Sequence, residues 1–283
     1  MQRRLFESPP RSDLHVHTHC SPDSSTSPDD VCRAALRRGL DAVAITDHAE
    51  TWEPGNPDSR IQFHSRCIST PEEYIREVRE VKSRYAGRLS VIVGVEIGYQ
   101  STREQEIRAL LAEHPFEFAL GSIHDSPPVN WWSPTSGALL RNRPDLAREA
   151  LAFYYTELRK AAESELFDSI GHIDVYERYF PRQWPDIFED QDFAPIVRAA
   201  VEAIARHARM EINLSTLHTL RGFPWSALRL LRMYHEMGGK PPTIGTDSHL
   251  PKYVGRDLDK GERLARQAGF EKVADWREVV RNR

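Results

Sequence analysis

Seven apolar runs in this chain end in side chains of the types that ligate metals. His15 and His17 follow Asp13-Leu14, Asp47-His48 follows the run at 42–45, Glu96 follows 91–95, and His124 follows 118–120. His172 comes after 167–170, Asn213 lies within 210–214, and Asp247-Ser248-His249 follows 243–245. One histidine at a strand end is ordinarily structural, but seven such endings on one sheet must converge. Imidazole and carboxylate donors without thiolate suit zinc, manganese or iron, and ligand type does not choose among them.

Local spacing sharpens the pattern. Side chains on a strand alternate with period two, so His15-Val16-His17 puts both imidazoles on one face, and Asp247-Ser248-His249 repeats the arrangement. If the last strand lies beside the first, four donors arrive together. Glu96 can bridge two cations through its two oxygens, which makes a binuclear centre. His48 belongs on the other side of the first strand, and a third cation there would take Asp23 from the loop 21–24, unless Asp23 serves only in a proline-containing turn. Cys20, near His17, is read as a reduced, partly buried thiol. With Cys32 and Cys67 it makes an odd count without CxxC spacing, which argues against a disulfide framework. His19, His64, His114, His207, His218 and His235 are read as surface, capping or loop residues.

Helical segments with clear punctuation separate the runs. Ser27-Pro28 opens one that Gly39 ends. Thr70-Pro71-Glu72-Glu73 supplies an N-cap, a first-turn proline and a capping-box glutamate to another, which Gly87 closes. Further helices are predicted at about 102–113, 144–164, 193–208, 225–237 and 258–268. Strand then helix, seven times, implies parallel strands with right-handed crossovers. Seven polar endings at the same strand ends favour a closed or nearly closed barrel over an open doubly wound sheet, which gathers ligands only at a switch point. Three long connections, 50–69, 125–143 and 176–192, follow strand ends and should overhang the site. They hold Trp52, Arg60, His64, Trp131, Trp132, Arg178, Tyr179 and Trp184, either as pocket walls or as surface padding.

The length of 283 residues suits one barrel domain of roughly 250 residues, with a core at about 13–270. A net charge of −4 without a basic stripe gives no nucleic-acid footprint. No apolar run reaches the roughly 18 residues of a membrane span, and no signal-peptide pattern opens the chain, so a cytoplasmic protein with no membrane partner is expected.

The motifs Asp13-Leu14-His15-Val16-His17-Thr18, Ile45-Thr46-Asp47-His48, Gly94-Val95-Glu96, Gly121-Ser122-Ile123-His124, Gly171-His172-Ile173-Asp174 and Gly245-Thr246-Asp247-Ser248-His249 resemble, in order, those of the PHP (polymerase and histidinol phosphatase) superfamily. Glu211-Ile212-Asn213-Leu214-Ser215 resembles its histidinol-phosphatase branch most. The resemblance implies a distorted seven-stranded (β/α)7 TIM-like barrel with two or three divalent zinc, manganese or iron ions at the C-terminal strand ends. By motif position, His15, His17, Glu96 and Asp247 would hold one metal, Glu96, His124 and His172 a second, and Asp23, His48 and His249 a third. Related phosphatases commonly carry histidine where this chain has Asp23, so filling of the third position is the point at which it departs from the pattern.

The implied activity is metal-dependent hydrolysis of a small phosphorylated substrate, L-histidinol phosphate in histidine biosynthesis, with other monoesters, nucleotides or phosphodiesters as alternatives. A non-catalytic PHP module is the other class, and the complete ligand set argues against it. Glu96, as the bridging carboxylate, would support formation of the nucleophile from water. Asp247, His249 or a water would protonate the leaving alkoxide. Arg178 and Arg221 are the candidates for contact with the phosphate oxygens, which suit a planar guanidinium. No Ser-His-Asp order, cysteine nucleophile with a base or glycine-rich phosphate loop competes.

Overall fold

The computed structural model describes residues 11–50, 61–63, 70–126, 129–130, 134–178, 187–219 and 222–281. The chain opens with β1 (Ser12–Val16) and α1 (Pro28–Arg37), whose N-terminus is capped as its sequence predicts, Ser27 Oγ accepting from the Asp30 amide. Then come β2 (Ala42–Ile45), β3 (His48–Glu50), β4 (Gln62–Phe63) and α2 (Pro71–Tyr85), which Thr70 caps from its side chain. After β5 (Ser90–Gly98), a 3-10 turn at Ser101–Arg103 leads into α3 (Glu104–Glu113) and β6 (Phe118–Ser122).

Two of the long connections carry structure of their own. β4 pairs antiparallel with β3, and the next connection holds the hairpin β7 (Asp125–Ser126) and β8 (Val129–Asn130) and a helix, α4 (Pro134–Asn142). Then follow α5 (Pro144–Glu163), β9 (Ser169–Ile170), a 3-10 turn at Val175–Arg178, α6 (Ala194–His207), β10 (Arg209–Asn213), α7 (Thr216–Thr219), α8 (Ala227–Glu236), β11 (Thr243–Gly245), α9 (Leu258–Ala268) and α10 (Trp276–Val279).

Seven strands, in the order β1-β2-β5-β6-β9-β10-β11, pair in parallel throughout. The circuit comes round where a parallel bridge joins Val16 to Ser248, with the His17 amide donating to Ser248 O at 2.9 Å and the Asp247 amide to His15 O at 2.8 Å. The sheet is thus a nearly closed barrel and not an open doubly wound sheet.

Alternation along the strands divides the apolar residues. Val43, Ile45, Val91, Val93 and Ala119 join the main core, whereas Ala42, Ala44, Ile92, Phe118 and Leu120 form a second cluster with Leu14, Ala274 and Val279. The C-terminal segment therefore packs on that second set, and burying a Leu, Ile or Phe there contributes about 1.5 to 3 kcal/mol each. Tyr74 on α2 reaches the place where β2 gives way to β3. Its hydroxyl lies 2.8 Å from both Ile45 O and Gly94 O.

The closing seam depends on one buried carboxylate. Asp13 accepts from the Thr246 amide at 2.9 Å, from the Thr246 hydroxyl at 2.5 Å and from the Gly255 amide at 2.8 Å, so β1 holds the chain after β11 from the side. Gly245 lets the strands approach, since a Cβ there would stand 2.2 Å from His15 Cβ and 2.3 Å from Glu211 Oε1. Asp13→Ala should cost about 3 kcal/mol or more, because it leaves three donors unpaired in a buried seam. Denaturant unfolding measures this, and a loss under about 1 kcal/mol would show that the clasp does not hold the seam.

Candidate metal centre

Glu96, buried on β5, stands between two sets of imidazoles. Its Oε2 lies 3.4 Å from His15 Nε2, 3.5 Å from His17 Nε2 and 2.8 Å from His48 Nδ1. Its Oε1 lies 3.3 Å from His124 Nε2 and 3.0 Å from His172 Nε2, and also accepts from the Ser122 hydroxyl at 2.7 Å. One carboxylate thus faces a different donor group with each oxygen. Asp247 Oδ1 adds to the first group, 3.7 Å from His15 Nε2 and 3.4 Å from His17 Nε2.

A third cluster lies on the solvent side. His17 is stacked between His48 and His249, with ring centroids 4.3 and 4.2 Å away. Asp23 approaches both outer rings, with Oδ2 3.0 Å from His249 Nε2 and Oδ1 3.8 Å from His48 Nε2. Its side chain is 54% exposed and that of His249 25%, against 3% or less for His15, His17, Glu96, His124, His172 and Asp247. The centre therefore opens at Asp23 and His249. Ser24 and Thr26 hydroxyls, donating to His249 O at 3.0 and 2.9 Å, hold the 21–26 loop against the last strand end.

The second nitrogen of each ring fixes what the first presents. His15 Nδ1 is 2.8 Å from Glu211 Oε1, and a carboxylate can only accept, so Nδ1 carries the proton. Ser21 Oγ donates its one hydrogen to Asp47 at 2.6 Å and therefore accepts from His17 Nδ1 at 3.1 Å. Glu50 Oε1 does for His124 Nδ1 what Glu211 does for His15. In the neutral rings, all three Nε2 atoms then point lone pairs inward, and those of His15 and His17 face each other at 3.0 Å. Glu96 Oε2, His48 Nδ1 and His249 Nε2 are buried without a hydrogen bond despite their close neighbours. Donor atoms crowded in this way, with the second ring nitrogens anchored on acceptors, are characteristic of metal-ligating histidines. The donor set fits divalent transition metals.

Burial and mutual charge shift the titration of these groups in opposite directions. Burial opposes the charged form of His15, but Glu211, Glu96 and Asp247 outweigh it and hold its pKa well above the usual value. His48 is raised likewise against its burial, mainly by Glu96, and His124, against its burial, reaches about 10 beside Glu50 and Glu96. Burial alone would raise Glu96 and Asp247, yet the surrounding histidines hold both carboxylates well below their usual range. His17 goes the other way, to about 3, through burial and through its neighbours His249 and His48.

All nine residues expected as ligands, His15, His17, Asp23, His48, Glu96, His124, His172, Asp247 and His249, come together at one end of the barrel. His48 serves two neighbourhoods, facing Glu96 with Nδ1 and Asp23 with Nε2. Asp47 does not join them, since it accepts from Thr18 and Ser21 on the preceding loop. Asn213 likewise stands behind the centre, reaching Glu211 at 3.1 Å and Asp247 at 3.4 Å through Nδ2. Arg178 ends a 3-10 turn, but its side chain is outside the described residues, as are Arg221, Trp52, Arg60, His64, Trp131, Trp132, Tyr179 and Trp184.

Sequence reasoning missed Glu50 and the anchoring part played by Glu211. The available signal was period two again. His48-Ala49-Glu50 and Glu211-Ile212-Asn213 repeat the alternation that marked His15-Val16-His17.

Protein purified without chelators should carry at least two equivalents of transition metal per chain, and Glu96→Gln should lose metal. Metal analysis giving one equivalent or less in active protein, or a full complement in the variant, would contradict the shared role of Glu96. Because the raised histidines hold protons at neutral pH, loading with zinc should release protons, and apparent affinity should fall as pH falls. Calorimetry in two buffers of different ionisation enthalpy measures the release, and none at pH 7 would refute it.

A model of the PHP domain matches residues 13–215, which take in every donor named above except those of the last strand end. The histidinol-phosphatase of Lactococcus lactis subsp. lactis is 25% identical over 264 residues, covering 93% of each chain. That of Bacillus subtilis is 28% identical over 102 residues, 36% of this chain and 38% of the relative. The crystal structure of the Lactococcus lactis enzyme complexed with zinc, L-histidinol and phosphate superposes with a TM-score of 0.76 over 95% of this chain and 97% of that one, at 25% identity. The hisK product of Listeria monocytogenes, 17% identical, shares the fold with a TM-score of 0.74 over 88% of this chain and 99% of its own. With most of its length matched and its buried donors gathered at one end of a seven-stranded barrel, the chain belongs to the PHP domain family.

Proposed function

We propose that this chain is a metal-dependent phosphoesterase that hydrolyses L-histidinol phosphate to L-histidinol and phosphate. The observation that carries the reading is the inward convergence of the Nε2 atoms of His15, His17 and His124 around a carboxylate that divides its oxygens between two donor groups. The Lactococcus lactis relative, whose structure holds zinc, L-histidinol and phosphate, supports the substrate assignment. His15, His17, Glu96 and Asp247 would hold one cation, Glu96, His124 and His172 a second, and Asp23, His48 and His249 a third. Bound cations of this class supply Lewis acidity toward a phosphoryl oxygen and make water a usable nucleophile near neutral pH.

The chain's own residues set the geometry. Glu211, Ser21 and Glu50 lock the rings of His15, His17 and His124, so the donors need little rearrangement when substrate arrives. Burial on the Glu96 side keeps bulk water away, while Asp23 and His249 line the open side, where the ester enters and its leaving alkoxide takes up a proton. Glu177 accepts from the Trp225 and Ser226 amides at 2.7 and 3.1 Å, pinning the turn after His172 to the start of α8. Arg178, next in the chain, would bind the phosphate together with Arg221.

Assays of L-histidinol phosphate and a small generic phosphomonoester, each with manganese or zinc, test the assignment. Glu96→Gln should lose about a thousandfold or more in rate, since the bridging charge supports formation of the nucleophile. Arg178→Ala should lose roughly 2 to 4 kcal/mol in kcat/KM on both esters with metal content unchanged. A loss confined to L-histidinol phosphate would move Arg178 to the organic part of the substrate. Wild-type turnover of the generic ester without turnover of L-histidinol phosphate would remove the substrate assignment and leave the phosphoesterase reading in place.

A further inference from the structure

A second group of donors follows directly on the first two histidines of the centre. Cys20 is completely buried, not partly as its sequence position suggested, and its Sγ lies 3.9 Å from Glu77 Oε2 on α2. The other oxygen of that carboxylate is 2.7 Å from His19 Nε2. Sulfur, nitrogen and oxygen donors lie within 4.8 Å of one another. Four groups of histidine, cysteine and carboxylate donors come together among the described residues. Three share members around Glu96 and His17, whereas this one shares none and alone contains sulfur.

We propose that His19, Cys20 and Glu77 form a separate site for one thiophilic divalent cation of the zinc class. Zinc bonds of about 2.3 Å to sulfur and 2.0 to 2.2 Å to nitrogen or oxygen put tetrahedral donors about 3.3 to 3.6 Å apart. Glu77 meets Cys20 at 3.9 Å and His19 at 2.7 Å through its two oxygens, and all three donors lie within 4.8 Å of one another, so side-chain rotation is what closes the site. Three protein ligands leave a fourth position. The His19 and Glu77 side chains are 30% and 32% exposed, so that position faces water while Cys20 closes the inner side. A buried thiol gives up its proton only where positive charge replaces it, and a cation held by Glu77 and His19 supplies that charge.

The donor chemistry also sets this site apart in selectivity. Thiolate favours zinc over manganese, whereas the nitrogen and oxygen donors around Glu96 accept either. A cation here would tie the segment bearing His17 and Asp23 to α2. The inference does not depend on the phosphoesterase reading, because the cation alone is the ligand.

Cobalt(II) is the probe, since thiolate ligation gives an intense near-ultraviolet charge-transfer band that nitrogen and oxygen ligation does not. Cobalt-saturated protein should show this band, and Cys20→Ser should abolish it and lower cobalt content by one equivalent. Cys32→Ser and Cys67→Ser should retain it. His19→Asn and Glu77→Gln keep the buried thiol and should weaken the cobalt titration followed at this band by about tenfold or more, which decides the matter if Cys20→Ser does not fold. A saturated wild-type protein without the band, a band that survives Cys20→Ser, or unchanged titrations in both His19→Asn and Glu77→Gln would overturn the proposal.

Discussion

Buried acceptors facing one another are the constraint around which this molecule is organised. The Nε2 atoms of His15 and His17 lie 3.0 Å apart, and Glu96 Oε2 stands within 3.5 Å of both. In a low-dielectric interior such an arrangement is costly unless positive charge sits within it. The charges of these groups act on one another, so that neighbouring carboxylates drive His15 and His48 up while the histidines drive Glu96 and Asp247 down. The fold must therefore hold the acceptors together against their own repulsion, and it does so through the far side of each ring. Glu211, the Ser21–Asp47 pair and Glu50 take the second nitrogens of His15, His17 and His124.

Those anchors are effective only because the barrel closes. Asp13 clasps Thr246 and Gly255, bringing β11 beside β1, so that Asp247 meets the two histidines of the first strand. Below this seam, Leu14, Ala42, Ala44, Ile92, Phe118 and Leu120 pack with Ala274 and Val279 from the C-terminal segment. Apolar packing at one end stabilises the barrel and leaves the strand ends at the other free to carry polar groups that contribute little to stability themselves. β5 spans both environments, with Ile92 in the lower cluster and Glu96 in the centre, which makes it the strand that couples packing to chemistry.

Exposure gives the centre a direction. Glu96 and its nearest histidines are closed off, while Asp23 and His249 meet solvent, so the centre communicates with water through that pair. The loop that carries Asp23 also carries Ser21, which orients His17, and Ser24, which holds the last strand end. A short segment after β1 thus positions donors for two neighbourhoods, and it also presents His19 and Cys20 to Glu77 on α2.

How much of this was legible depends on the range of the interaction. Strand alternation is covalent and local, so His15-Val16-His17 and Asp247-Ser248-His249 could be placed on common faces from spacing alone. The caps of α1 and α2 were readable for the same reason, since Ser27 and Thr70 bond to amides three residues ahead. Seven strand–helix units then required the nine ligand candidates to converge. What the second ring nitrogen meets is a through-space matter. Glu211 reaches His15 across 196 positions and Glu50 reaches His124 across 74, and no spacing rule spans such separations. Tertiary structure also decided that Asp47 turns back to Thr18 and Ser21 while its neighbour His48 turns in, because β2 breaks before β3 begins. The sequence by itself determined which residues share a strand face. Only closure of the barrel decided which faces meet, because contact across the seam is set by packing and hydrogen bonds between segments far apart in the chain.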